Sequence, residues 1–494
     1  MPNYKGHGSL KSFSCILKNF DGSKFIDITT LIIDMSIYED IFKNSMYGVV
    51  AIQDAVNLLN GMVNGHGETS NAFPIVGEEY LEINYEVLGF EPVFRRFFVN
   101  SIEDISTNQA LTTRTYVLDF CSEEHLLDAC TLVQRAFKKK ISDAAEIILN
   151  DFLKVNEELP TGKKKKNVDI QPTKGNQNIV VPTMTPFETL NFLARRSIAE
   201  NVFQSASYLF FENKDGFNFC DVEYLIRRGK IRYNQNPKTY TYFYQSPLIP
   251  ISSDDSKAYK TIISMSQKSR FDTMEKIKNG YFESNIFIFD FINKKLKNRN
   301  YKFIDNYTNY NTLGAAGESV QETSYPENSI DFIRSVTAER SKPQTVLGIF
   351  NLAKDSPPGK HTKLFFIPKD STQPDTYLEE IIPNRASYMT RLAQNMFTCE
   401  VYGDPNIAAG DVISIDLPEI VGTSGANKLH DRFMSGYFLV TTIHHKLTPD
   451  SYTCTYDLYK NGFSDPIITK EKPEPSNSAY LNNAAKLGVN DGRK

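Results

Sequence analysis

The sequence predicts a mainly β protein in which an α/β insert separates two β regions. Stretches of alternating apolar and polar residues, divided by turn signals, fill the first ~120 residues and recur in the last half of the chain. Between them the apolar residues follow helical spacing. A chain of 494 residues is long enough for about three domains. We expect domains at 1–121, 122–235 and 236–469, followed by a flexible tail at 470–494.

The first β region is predicted from clear alternation. The segment 80–87, YLEINYEV, places its apolar residues on one face, and 115–120, TYVLDF, repeats the pattern. Asp21-Gly22 marks a hairpin turn, because glycine tolerates the positive φ that such turns require. Several short strands between turns indicate a barrel or a sandwich.

The insert begins with a helix over 142–153, for which Ser142 is a plausible N-cap. The polar stretch 160–178 is typical of a loop. A capping box at Thr185 and Glu188, with Pro186 at the first helical position, then predicts a helix over 186–199. This helix should pack through an apolar face, which comprises Phe187, Leu190, Leu193, Ala194 and Ile198. A hairpin of two aromatic strands follows, with Gly216 at the left-handed position of its turn.

The second β region combines strands with two helices. We expect a short helix at 269–280 with Phe271, Met274 and Ile277 facing inward and Gly280 ending it. An aromatic strand follows it, and a polar surface excursion over 295–330 then forms part of a loop insertion near 295–360. A helix near 384–397 leads into further strands, and a long hairpin turns at 448–451.

Composition excludes several classes of protein. The net charge of −4 gives no general attraction to nucleic acid or anionic lipid. No apolar run reaches the ~18 residues that a membrane span needs, and the N-terminus lacks the apolar core of a secretory signal. Six cysteines without CxxC spacing are expected to be reduced and mostly buried, as in a protein made in a cytoplasm.

No motif indicates catalysis, and we predict no catalytic, cofactor-binding or metal-binding residue. His444 and His445 are adjacent on a predicted strand, so they point to opposite faces and cannot chelate one ion together. His125 lies between Cys121 and Cys130, but no further ligands complete a zinc site, which favours a buried structural role. The sequence has no GxSxG, HExxH or P-loop, since GAAGES at 314–319 lacks the required lysine.

One basic concentration stands out. Lys163 to Lys166 form a run of four, and Lys138 to Lys140 precede it. The simpler interpretation is a solvated loop and flank. The alternative is contact with nucleic acid through phosphate neutralisation, without reading of sequence.

Five segments, in this order, resemble the central hub proteins in the baseplates of contractile-tailed bacteriophages. They are 32–59, 186–219, 271–290, 403–419 and 435–463. The resemblance implies two tube-type β-barrel domains plus an α+β subdomain, a fold shared with the hub part of type VI secretion spike proteins. It also implies a non-enzymatic virion protein that joins the tail tube to the central spike. The polar insertion at 295–330 and the tail depart from that pattern.

The implied partners are two further copies in a homotrimer, tail tube proteins, the central spike protein and baseplate wedge proteins. Phage DNA would pass through the ring, and the location would be the tail baseplate of a virion assembled in the host cytoplasm. Two alternatives remain open. One is a tail-associated peptidoglycan hydrolase, and the other is a host-adsorption protein using exposed aromatic residues such as those of NYTNYN at 306–311.

Overall fold

The structure, a computed structural model, describes most of the chain in segments. These are residues 8–60, 73–110, 112–158, 165–200, 205–244, 259–269, 272–281, 283–290, 295–302, 313, 342–347, 377–393, 395–418, 431 and 434–461. The predicted tail at 470–494, the segments 306–311 and 314–319, and most of the loop insertion near 295–360 lie outside them.

The described strands, in chain order, are β1 Leu10–Lys18, β2 Phe25–Asp27, β3 Ile32–Asp40, β4 Tyr47–Asp54, β5 Tyr80–Val87, β6 Val93–Thr107, β7 Arg114–Cys121, β8 Val133–Lys139, β9 Asn167–Ile170, β10 Gln177–Met184, β11 Tyr208–Asn213, β12 Gly216–Asp221, β13 Thr241–Tyr244, β14 Thr261–Ser269, β15 Glu283–Asp290, β16 Lys295–Lys302, β17 Lys342–Leu347, β18 Met396–Tyr402, β19 Val412–Asp416, β20 Gly436–Leu447 and β21 Tyr452–Tyr459. The described α-helices are α1 Glu123–Cys130, α2 Ile141–Ile147, α3 Pro186–Ala194, α4 Val222–Gln235, α5 Pro237–Tyr240, α6 Thr273–Lys278 and α7 Leu378–Leu392. A π-helical turn, Ile148–Phe152, continues α2.

Six strands of the second β region close into a barrel. Their order is β19-β13-β14-β18-β21-β20, and β20 pairs back with β19. Apolar side chains of β19 and β20 fill the interior, because alternate residues of each strand point inward. A separate three-stranded sheet, β16-β15-β17, belongs to the same half of the chain.

The first β region is an antiparallel sheet that continues directly from the barrel. Its order is β3-β4-β7-β6-β5-β1-β2, and β3 pairs with β20 along a ladder that we call the seam. The seam runs from Met35 opposite Leu447 to Asp40 opposite Thr442. Buried residues of the sheet and the barrel form one apolar core. The predicted fold class is thereby confirmed; of the two barrels that the resemblance implied, the described pairings close one.

The insert lies between these two β regions in the chain and has a core of its own. It contains a sheet of order β11-β12-β9, a ribbon of β8 and β10, and helices α1 to α4. Helix α4 packs on β19 so closely that a Cβ on Gly229 would lie 2.5 Å from Val412 Cγ2. The insert therefore contacts the barrel without room for a side chain between them.

Several local predictions are confirmed. Residues 80–87 and 115–120 are strands whose alternate residues are buried, and β1 and β2 form the hairpin around Gly22, at φ +70°. The capping box is complete: Glu188 N–H donates to Thr185 Oγ1 at 3.3 Å, and Thr185 N–H donates to Glu188 Oε2 at 3.1 Å.

Two helix predictions in the insert were wrong in detail. Ser142 is not an N-cap, because the helix begins one residue earlier and Ser142 N–H is satisfied by Thr173 Oγ1 at 3.0 Å. The helix expected over 186–199 ends at Ala194. Ser197 Oγ donates to Leu193 O there, and the chain turns, so that Ile198 joins a different cluster with Ala206 and Ile381.

Three further predictions need correction. Residues 167–170, expected in a loop, form β9, which pairs in parallel with β12. Residues 295–302, expected as a surface excursion, form β16, whose polar sequence suits an outer strand of a small sheet. Met274 is 71% exposed and does not face inward. Phe271 lies outside the described residues.

Candidate functional site

The first sheet, the insert and the barrel meet at a place that we call the joint. It is built from Glu39 in β3, Lys166 next to β9, Glu212 and Asn213 in β11, and Ala409 just before β19. The first sheet supplies one of these residues, the insert three and the barrel one. The joint is the candidate functional site because its contacts connect all three regions.

A buried ionic cluster lies on the insert side of the joint. Lys166 Nζ is 2.6 Å from Glu212 Oε1 and 2.5 Å from Glu124 Oε2. The second oxygen of Glu212 accepts hydrogen bonds from Ser122 Oγ at 2.5 Å and from Met46 N–H at 2.9 Å. Glu212 thus links the insert to the end of β7, which Ser122 directly follows, and to the start of β4, which Met46 directly precedes.

Burial and charge oppose each other in this cluster. The side chains of Glu124 and Glu212 are 0% and 2% exposed, and that of Lys166 is 28% exposed. Burial alone would lower the pKa of Lys166, but the carboxylates of Glu212 and Glu124 raise it above its usual value. Burial raises the pKa of Glu212, although Lys166 opposes that change. Because one cation lies between two buried carboxylates, loss of the lysine would take the positive charge that they share away from both of them.

A tight hairpin places Lys166 beside Glu212. Strands β11 and β12 are joined by two residues, with Asn213 opposite Gly216. Gly216 has φ +129°, and a Cβ there would lie 2.2 Å from Asn167 O. Only glycine allows β9 to approach this closely, which brings the residue before Asn167 into the cluster.

The peptide groups of Ala409 connect the first sheet to the insert. Ala409 N–H donates to Glu39 Oε2 at 3.1 Å, and its carbonyl oxygen accepts from Asn213 Nδ2 at 2.8 Å. The next two residues contact the barrel and the insert. Gly410 N–H donates to Val440 O of β20 at 2.8 Å, and Asp411 Oδ1 accepts from Arg232 Nη1 of α4 at 2.7 Å. A short loop therefore contacts every region at the joint.

His445 extends the joint along the seam. Its Nε2 lies 3.4 Å from Glu39 Oε1, and its Nδ1 lies 2.7 Å from Tyr452 Oη and 3.5 Å from Cys454 Sγ. Burial alone would lower the pKa of His445, but Cys454 and Glu39 raise it to about 9. For Glu39 the directions are reversed. Burial alone would raise its pKa, but the contact with His445 outweighs burial, and the pKa of Glu39 is lowered. Both shifts favour the charged forms, an imidazolium facing a carboxylate across the seam.

The three histidines discussed in the sequence analysis lie in different environments. His444 and His445 do point to opposite faces, and His444 stacks on Tyr38 at 4.5 Å between ring centroids. His125 was expected to be buried but is exposed, because α1 turns Glu123 and Glu124 inward instead. Cys130 is exposed too, while the other five cysteines are buried, and all six are free thiols.

The basic run is divided by the fold. Lys165 is exposed, as expected for a solvated loop. For Lys166 the solvated-loop interpretation is wrong, because this residue belongs to the buried ionic cluster. Lys163 and Lys164 lie outside the described residues. Lys138 and Lys139 are exposed on β8, and Lys140 pairs with Glu200 at 2.9 Å.

Sequence reasoning missed Glu124, Glu212 and Glu39. Glu212 had a detectable signal, since it interrupts an aromatic strand in which every residue is buried, and a buried carboxylate needs a partner. Across the described part of the chain, no group of three or more His, Cys, Asp and Glu is arranged to hold a metal ion. No helix in that part is both long and apolar enough to cross a membrane.

Comparisons with known proteins found similar solved structures but no similar sequence. The sequence matches no family model and no curated protein. The structure is similar to the tail protein from Neisseria meningitidis MC58, with 13% identity, coverage of 92% of this chain and 98% of that one, and a TM-score of 0.46. It is also similar to the 43 kDa tail protein of prophage MuSo2 from Shewanella oneidensis, with 11% identity, 91% and 98% coverage, and a TM-score of 0.45. A third similar structure is an E. coli component of the type VI secretion system, itself similar to the T4 tail proteins gp27 and gp5. That structure has 6% identity, 88% and 76% coverage, and a TM-score of 0.35.

Proposed function

We propose that this chain is the central hub of a contractile phage tail, a structural protein that joins the tail tube to the central spike. The observation that carries the proposal is the seam, which continues the barrel into the first sheet through strand pairing. The five sequence segments that resemble hub proteins support it independently.

A hub must hold two β regions in a fixed relation while it transmits load. A flexible linker between them would let each region rotate, whereas a shared ladder and a shared core restrict that rotation. The joint adds a second restraint, because the insert is tied to both β regions by buried polar contacts. These features suit a rigid connector with no chemistry to perform.

The same proposal includes a homotrimer. Three copies around an axis would present six β regions, so that one side could meet a sixfold tube and the other a threefold spike. Baseplate wedge proteins would contact the outside of this ring, and phage DNA would pass through its centre. The proposed location is the baseplate of the virion, after assembly in the host cytoplasm.

Mass photometry of the chain co-purified with its spike protein tests the assembly. We expect three copies of the 56.2 kDa chain per spike; two or six would refute the trimer. Incubation of the homogeneous protein with purified cell wall tests the absence of enzymatic activity. Release of soluble muropeptides at a measurable rate would favour the hydrolase alternative.

A further inference from the structure

Strand β9 has an open edge. It lies at the end of the sheet β11-β12-β9, in parallel with β12. Gln171 N–H donates to Phe219 O of β12 at 3.0 Å. Because the backbone groups of alternate residues point to opposite edges of a strand, Val168 and Ile170 direct theirs away from β12. Among the residues that the structure describes, these groups meet no hydrogen-bond partner.

A groove of about 680 Å³ runs beside this edge. Val168 and Ile170 line one wall, while α2 and the π-helical turn after it form the other, with Asp143, Glu146 and Asn150. The volume lies within the range of pockets that bind ligands. An unpaired strand facing a groove has the shape of a site for an extended peptide.

The charged side chains of the groove differ in whether they are already paired. Asp143 and Glu146 form no salt bridge with any described residue, and Asp143 Oδ1 accepts a hydrogen bond from Ser142 Oγ at 3.2 Å. Lys140 at one end is held by Glu200, and Lys166 at the other end is held in the ionic cluster. Lys165 lies exposed near that second end. The middle of the groove therefore presents two carboxylates opposite the open edge.

We propose that this groove binds an extended segment of a partner protein, which adds to β9 as a fourth strand and places a lysine or arginine opposite Asp143 and Glu146. Val168 and Ile170 together offer two N–H donors and two carbonyl acceptors for such a strand. Four unsatisfied backbone groups fix its position, and the carboxylates select its charge. The inference does not depend on the tail role proposed above.

The test uses the full-length protein and a capped, fluorescein-labelled peptide of sequence TVKVTVK. We expect saturable binding at micromolar to millimolar concentration, with shifts of the amide signals of Val168 and Ile170 in NMR spectra of the labelled protein. The matched peptide TVEVTVE should bind at least several-fold more weakly. Absence of binding, equal binding of both peptides, or shifts confined to other strands would overturn the proposal.

Two variants separate the backbone contribution from the charge contribution. Asp143→Asn with Glu146→Gln should weaken binding about fivefold, as expected for two exposed charge pairs. Glu103→Gln with Asp104→Asn removes the same charge from exposed positions of β6 and should change nothing. Val168→Pro removes an N–H that faces the groove and not β12, so it should abolish binding. Because Val168 packs against the core of the insert, Val168→Ala is the control: it loses that packing but keeps the N–H, and it should still bind. Equal weakening in the β6 control would refute the site.

Discussion

Replacement of Lys166 by methionine tests whether the ionic cluster holds the insert to the first sheet. Methionine keeps most of the length and apolar surface of the side chain but removes the charge that Glu124 and Glu212 share. Both carboxylates then face each other at 0% and 2% exposure, without the ammonium group 2.5 and 2.6 Å away. Ser122 and Met46 still donate to Glu212, so the loss concerns charge and not every hydrogen bond.

Removal of one partner from a buried ion pair typically costs about 3–5 kcal/mol, because the remaining charge stays buried. Lys166 is 28% exposed, so water can enter when it is lost. We therefore expect the lower end, about 3 kcal/mol at neutral pH. The sign of the pH dependence follows from Glu212, whose pKa is already raised and would rise further without Lys166. The penalty should shrink as pH falls and Glu212 takes up a proton.

Hydrogen exchange measures this loss where it occurs, since a chain with more than one hydrophobic core need not unfold in two states. Amides of α1, β11 and β12 should exchange about 100-fold faster in Lys166→Met, which corresponds to ~3 kcal/mol. Lys165→Met, one residue away and exposed, is the matched control and should exchange like the wild type. Unchanged exchange in Lys166→Met, or an equal change in the control, would refute the reasoning.

Three further predictions concern the seam and the insert. The folded-state pKa of His445, about 9, exceeds the ordinary 6.5, so its contribution is complete below pH 6.5 and is lost as pH rises to 9; His445→Gln should flatten that part of a plot of unfolding midpoint against pH. Asp221 caps α4, and burial raises the pKa of its carboxyl to about 6. The stability that its protonated form adds is therefore lost as pH rises from 3.8 to 6, and Asp221→Asn should remove this pH dependence. Asp221→Ala should in addition cost about 1 kcal/mol in denaturant titrations, because the cap is lost. Thr185→Ala should cost about 1 kcal/mol and Leu190→Ala about 2–5 kcal/mol, and unchanged unfolding midpoints in both would contradict the docked α3.

The features that the sequence predicts best depend on neighbours within one strand or one helical turn. The capping box needs only Thr185 and Glu188, three residues apart, and the alternation of β5 needs only the pleat. Both are confirmed by the structure.

The joint could not be predicted in this way. Lys166 sits in a run of four lysines, a pattern typical of a solvated loop, and its partners lie 42 and 46 residues away along the chain. His125 was misplaced for the same reason: α1 turns Glu124 inward, where it contacts Lys166, and the local sequence does not show that contact. Only the approach of β9 to Gly216 brings these distant groups together.

The direction of the seam gives the molecule unequal mechanical strength. Strands β3 and β20 are antiparallel, and their hydrogen bonds lie across the strands from Met35 to Asp40. A force along the strands would shear all of these bonds at once, so they would have to break together. A force across the strands, applied at one end, would peel them apart one after another at a much lower load. The protein would therefore resist pulling best when the force acts along β3.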